Sequence, residues 1–128
     1  MTRTTYDGRM TAIAHLRDIP SRGLKFTYKD GPFDEQGILV RVADGTIRAY
    51  KNECRHLPMP LDDREPGDLW DESGRHLVCS AHGARYRPDD GLCVSGPCKG
   101  SHLKEIPLRI NGDEVYVDET AVGSFFDV

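Results

Sequence analysis

Cys54-Arg55-His56 and Cys79-Ser80-Ala81-His82 decide how this chain is read. One pair is spaced C-x-H and the other C-x-x-H, with 22 residues between His56 and Cys79. Together they supply two thiolates and two imidazoles, the donors that suit zinc and iron-sulfur centres; calcium or magnesium would ask for carboxylates. A structural zinc knuckle separates its two ligands by about two to four residues, so that the loop folds back onto one ion. C-x-H fits that poorly. On an extended segment, one intervening residue leaves the two side chains on the same side but spread apart. Two adjacent irons, one taking both cysteines and the other both histidines, match the spread better than a single ion.

The residues that follow carry a family resemblance. His82 leads into Gly83, Ala84, Arg85 and Tyr86, then Asp90-Gly91 and Gly96-Pro97, a run that resembles the H-G-x-x-[FY] … G … G-P pattern of Rieske ferredoxins. Leu16-Arg17-Asp18-Ile19-Pro20 is similar to their first strand, and the resemblance spans residues 13 to 117. It implies one [2Fe-2S] cluster per chain, held by Cys54, His56, Cys79 and His82. It also places Gly96-Pro97 in a third loop over the cluster, with Tyr86, Gly83 and Leu57 beside it. The gap between the ligand pairs is longer than is usual in Rieske ferredoxins, so the first cluster loop carries an insertion.

The implied activity is one-electron transfer from a flavin-dependent reductase to a terminal oxygenase or other redox acceptor, with no catalytic residue and no substrate chemistry in this chain. Exchanging two thiolates for neutral imidazoles removes two negative charges and favours reduction. Rieske centres accordingly lie at about −150 to +300 mV, against about −400 mV for plant-type ferredoxins. High-potential Rieske proteins of respiratory complexes add a disulfide beside the cluster, and a serine and a tyrosine that bond to sulfur. The corresponding positions here hold Met59, Ala81 and Ala84, with only Tyr86 kept. A potential low in the Rieske range is the expectation.

Composition sets outer limits. The chain has 128 residues, enough for one domain. Its formal net charge of −4 offers no general attraction to nucleic acid. No apolar run approaches the roughly eighteen residues of a membrane helix, and no secretory leader opens the chain. A cytoplasmic protein is expected, and its four cysteines then read as metal ligands or free thiols.

Short alternating segments argue for an all-β protein, an antiparallel sandwich or barrel with an inserted smaller cluster-binding lobe. Ser21 to Tyr28 and Gly37 to Val42 read as strands, and Asp44-Gly45 turns the second into Thr46 to Tyr50. A second hairpin runs through Leu108 and Ile110, Asn111-Gly112, Val115 and Val117. Residues 1–12, polar and weakly patterned, read as a flexible terminus. Residues 13–128 then form one domain, with a base of 13–52 and 99–128 and a lobe of 53–98.

Leu57 to Glu72, rich in proline, glycine and acid, reads as a loop. Its acidic residues face one base, Arg64, and the segment is either a solvated loop or a surface that steers a basic partner. Trp70 reads as its anchor in the core. Cys93 and Cys98 leave three readings open: free thiols, a disulfide across Gly96-Pro97, or, with Cys54 and Cys79, an all-cysteine cluster that would leave both histidine spacings unexplained. The alternative from a different functional class is a module that carries no electrons, either a zinc Cys2His2 interaction domain or a Rieske-like structural or redox-sensing subunit.

Overall fold

A computed structural model describes residues 5–6, 10–63, 67–119 and 121–122. Arg64 and Glu65 of the acidic segment lie outside the described residues, as does most of 1–9. Three antiparallel sheets make up the fold, and no α-helix occurs among the described residues. The first sheet joins β1 (Thr5–Tyr6), β2 (Met10–His15), β10 (Glu114–Asp118) and β9 (Leu108–Asn111) in that order. The second is the meander of β3 (Leu24–Asp30), β4 (Phe33–Arg41) and β5 (Ile47–Lys51). The third joins β6 (Leu77–Val78), β7 (Arg85–Tyr86) and β8 (Cys93–Ser95) and belongs to the lobe.

β4 is the strand that ties the base to the lobe. Ile38, Leu39 and Val40 are all buried, because the two faces of the pleat enter different cores. Ile38, Val40 and Tyr50 pack with Cys54, Leu77, Cys79, Tyr86 and Cys93 on the lobe side. Leu39 and Ala49 pack with Tyr28, Ile106, Val115 and Val117 against the first sheet. The lobe therefore rests directly on the middle sheet. Gly37 opposes Phe26 in the register, and a Cβ there would sit 2.5 Å from the Phe26 ring, so the ring fills the space a side chain would take.

Both expected hairpins form, at Asp44-Gly45 and at Asn111-Gly112. The terminus differs from expectation. Strand structure begins ahead of Ile13, with Thr5–Tyr6 paired to Met10–Thr11, and with Met10–His15 paired to β10. Met10 and Thr11 are buried. β2 is held by β10, about a hundred residues later, and no local turn signal announces that pairing.

The acidic segment also departs from a purely solvated loop. Asp62 is buried and accepts hydrogen bonds from Lys25 Nζ at 2.7 Å, Gly67 N–H at 2.9 Å and Asn52 Nδ2 at 3.0 Å. Asn52 in turn accepts from Leu61 N–H and donates to Gln36 Oε1, tying the start of the first cluster loop to β4. Asp71 is buried too, bonded by the Ser73 hydroxyl at 2.6 Å and Arg85 Nε at 3.2 Å, with His76 Nδ1 at 3.3 Å. Beyond it, Leu69 to Val78 form a small hairpin: Val78 N–H donates to Leu69 O, Asp71 N–H donates to His76 O, and Trp70 bridges Leu77. Trp70 is buried in the lobe core, and its Nε1–H donates to Arg22 O at 2.8 Å, so the anchoring role read from the sequence is what the structure shows.

The Asp62 network makes stability depend on pH. Burial raises the carboxyl pKa, but the hydrogen bonds from Lys25, Gly67 and Asn52 outweigh it and hold the group at about 2, below its ordinary 3.8. Because the folded state binds its proton more weakly than the unfolded chain, the stabilisation is present above the unfolded pKa and lost as pH falls from about 4 toward 2. Discounted for solvent screening at the half-exposed Lys25 end, it is on the order of 1 kcal/mol. Asp62→Asn is expected to flatten the acid limb of stability over that window, measured by urea unfolding against pH. An unchanged limb would show that the pair carries none of it.

Candidate metal centre

Three loops converge at the end of the lobe. The first turns back on itself between Cys54 and Met59, with Cys54 N–H donating to Met59 O and Met59 N–H to Leu57 O. The second does the same between Cys79 and Ala84: Cys79 N–H donates to Ala84 O, and Gly83 N–H to Cys79 O. Gly83 adopts φ +75°, the left-handed conformation that closes this turn after His82. Ser80 N–H donates to Leu61 O and joins the two loops. The third loop leaves β8 through Gly96-Pro97 and lies on the second. A Cβ on Gly96, whose φ is +100°, would come 2.8 Å from Ala84 Cα. No side chain fits there without the third loop lifting away.

The structure brings the donors read from the sequence together as two pairs, Cys54 beside Cys79 and His56 against His82, with the thiols inside and the imidazoles outside. Cys54 and Cys79 are 4% and 0% exposed, whereas His56 and His82 are open to solvent. The two rings meet edge to face with centroids 5.0 Å apart. Backbone amides surround the buried sulfurs. For Cys54, burial raises the thiol pKa, but hydrogen bonds from the Tyr86 hydroxyl, the Leu57 and His56 amides and Cys79 bring it below the ordinary value. For Cys79, burial dominates and raises it, together with the neighbouring Cys54, against the amides of Ala81 and His82. Two adjacent sulfurs with N–H groups aimed at them are a cradle for thiolates. They need a cation to hold both charges in an apolar pocket.

Tyr86 bridges this pocket to the third loop. Its hydroxyl accepts from Arg55 N–H at 3.0 Å and lies 3.5 Å from Cys54 Sγ and 3.0 Å from Cys98 Sγ. The ring is fully buried. Leu57 is half-buried beside His56, and Pro97 is exposed at the crest of the third loop. Met59 and Ala81 pack against the same core.

The Rieske [2Fe-2S] domain pattern matches residues 10–111. The chain belongs to the Rieske [2Fe-2S] domain family. The family's cofactor is one [2Fe-2S] cluster per domain, which sets aside the zinc reading, and the mixed thiol and imidazole donors of this Rieske chain fit that group. It is 27% identical over 106 residues to the cytochrome b6-f complex iron-sulfur subunit of Chlorobaculum tepidum, covering 83% of this chain and 51% of that one. It is 41% identical over 71 residues to the large oxygenase component of the naphthalene 1,2-dioxygenase system of Pseudomonas fluorescens, covering 56% of this chain and 14% of that one. The chain thus spans about half, or less, of the length of these curated relatives. Among solved structures, the ferredoxin of carbazole 1,9a-dioxygenase from Nocardioides aromaticivorans IC177 superposes with a TM-score of 0.63 at 22% identity, covering 84% of this chain and 95% of that one. That likeness is one of fold, and it agrees with the all-β architecture expected from the sequence.

The remaining histidines stand apart from the centre. His15 Nδ1 lies 3.3 Å from Asp113, and His76 is bound to Asp71. His102 pairs with Leu92 in an isolated β-bridge. Among the described residues no helix is long and apolar enough to cross a membrane.

Proposed function

We propose that this chain is a one-electron carrier of low Rieske potential, with Cys54, Cys79, His56 and His82 as the cluster ligands, and that it passes electrons from a flavin-dependent reductase to an oxygenase or a similar acceptor. One observation carries the reading: the two cysteines are sealed in the core while the two histidines stand in solvent on the same rim. A bound [2Fe-2S] cluster supplies a site that accepts and releases a single electron. His56 and His82 would form its exposed edge, the shortest route to a docked partner. Leu57 and Pro97 would form the surface around that edge, and Gly83 and Gly96 set the turns that let the loops close. Carriage to an oxygenase is supported by the fold shared with the ferredoxin of carbazole 1,9a-dioxygenase and by identity to a dioxygenase component.

The absent potential-raising devices support a low potential. The side chains of Met59, Ala81 and Ala84 offer no hydrogen bond to sulfur, which leaves the hydroxyl of Tyr86 as the side-chain partner beside the backbone amides. Because the hydroxyl lies 3.0 Å from Cys98 Sγ and only 3.5 Å from Cys54 Sγ, its pull on the ligand sulfur is partial, and Tyr86→Phe is expected to lower the midpoint by roughly 20–40 mV, the equivalent of a modest hydrogen bond. Redox titration of both proteins checks this, and identical midpoints would remove the Tyr86 contribution. The carrier reading is tested by reducing the holoprotein with a flavin reductase and following reoxidation by a Rieske-type oxygenase. Turnover-competent transfer supports it, and a chain reducible only by dithionite and inert toward such acceptors overturns it.

A further inference from the structure

Cys93 and Cys98 are not used by the proposed carrier function, yet they are placed with care. Their Sγ atoms lie 3.3 Å apart. Backbone bonds from Cys93 N–H to Ser101 O, Gly100 N–H to Cys93 O and Ser101 N–H to Cys98 O fix the two ends of the third loop, and the Ser101 hydroxyl adds a bond to Cys98 O at 2.7 Å. A disulfide needs the sulfurs at about 2.05 Å, so closure asks the two sulfurs to approach by a little over 1 Å. Cys93 is buried and Cys98 half-buried, on a loop whose Gly96, Pro97, Lys99 and Gly100 are exposed.

The pair also stands in a hydrogen-bonded line to the metal centre. Arg55 N–H donates to the Tyr86 oxygen, Tyr86 lies 3.0 Å from Cys98 Sγ, Cys98 lies 3.3 Å from Cys93 Sγ, and Cys93 donates to Ser95 O at 3.2 Å. With Cys93 donating to Ser95, the consistent direction of the line is Tyr86 O–H to Cys98, then Cys98 S–H to Cys93. The Tyr86 proton is thereby drawn away from Cys54 Sγ, its other neighbour at 3.5 Å.

We propose that Cys93 and Cys98 are a redox-active dithiol that a low-molecular-weight disulfide oxidises, and that its state sets the cluster potential through Tyr86. The Cys98 sulfur, the accessible one, attacks the disulfide RSSR to form a Cys98–S–S–R bond and release RSH. Cys93 then displaces the second thiol, leaving Cys93–S–S–Cys98. Two protons and two electrons leave the pair in two RSH molecules. Burial pushes the Cys93 thiol up to about 11, which suits the second, intramolecular displacement better than a first attack from solution. Once the disulfide forms, Cys98 carries no proton to pass to Cys93, and its sulfur is a weaker acceptor. The Tyr86 hydroxyl then turns to Cys54, and a hydrogen bond to a ligand sulfur favours the reduced, more negative centre.

The effect on potential rests on Cys54 being a cluster ligand; disulfide formation does not. Holoprotein is equilibrated anaerobically in mixtures of reduced and oxidised glutathione, free thiols are alkylated, and the Cys93 and Cys98 peptides are mapped by mass. Cluster content is followed in parallel by EPR of the reduced protein. The expected result is a reversible Cys93–Cys98 cross-link with the cluster retained, and a mixed glutathione disulfide at Cys98 in the Cys93→Ser protein. Reduction of the cluster should be about fivefold more favourable in the cross-linked wild type, a rise of about 40 mV at 59 mV per decade, and the difference should vanish in Tyr86→Phe. Two free thiols throughout, a glutathione adduct that never resolves in wild type, or equal midpoints in the two states would each overturn the proposal. A chain that cross-links but shows no reduced-state cluster signal would instead overturn the carrier reading.

Discussion

Cys79→Ser protein is expected to emerge colourless, with less than about a tenth of the wild-type iron and no reduced-state EPR signal. The Cys79 sulfur is fully buried and faces the amides of Ala81 and His82, while burial raises its thiol pKa, so its thiolate depends on a bound cation. A serine hydroxyl there stays protonated and binds iron poorly, since iron-sulfur centres select soft thiolate donors. His82→Ala should behave the same way through loss of a ligand from the exposed side, although the ring contributes little to packing. Loss of the cluster in a protein whose far-UV circular dichroism stays β-like separates ligand loss from misfolding. Either variant retaining a full cluster would remove that residue from the ligand set.

The largest effect on stability is expected at Trp70, in the insertion between the two ligand pairs. Its ring is buried among Val42, Leu69 and Leu77, and its N–H is bound to Arg22 O in the base. Truncation removes the packing, leaves a cavity and orphans a carbonyl. Losses of about 3–5 kcal/mol are typical for Trp→Ala in a core. The same change frees the hairpin of Leu69 to Val78, whose end is Cys79, so cluster retention should fall along with stability. Guanidinium unfolding of the wild-type and Trp70→Ala holoproteins measures the first, and iron content the second. A loss below about 1 kcal/mol would mean that the insertion is an appendage and not part of the lobe core.

The Rieske family was legible because each Cys-His pair is contiguous, so its spacing speaks without knowledge of the fold. The Asp44-Gly45 and Asn111-Gly112 hairpins were legible for the same reason: turn chemistry is local. What stayed hidden depends on partners far along the chain. Met10–His15 contains Thr11, Ala12 and Ala14, weak strand signals by themselves, and becomes a strand because β10 lies beside it. Asp62 and Asp71 read as solvated acids, since their cations, Lys25 and Arg85, come from other elements. The double burial of Ile38, Leu39 and Val40 was masked by an alternation that the pleat assigns to two cores. Cys93 and Cys98 were legible as a pair but not as neighbours of Tyr86, because the third loop folds back across the lobe to make that contact.

The acidic segment divides along the same line. Asp62 and Asp71 face inward and brace the lobe, while Asp63, Asp68 and Glu72 remain exposed. Of the segment's acids, these three described carboxylates are the ones a basic partner would meet, and Glu72 is already shared with Arg85.

Pulsed EPR of the reduced protein grown with 15N-histidine tests the central claim most directly. The account predicts two irons per chain and couplings to two histidine nitrogens, with one coupling lost or the cluster absent when His56 or His82 is replaced. A single metal ion per chain, or a two-iron cluster without nitrogen coupling, would contradict it.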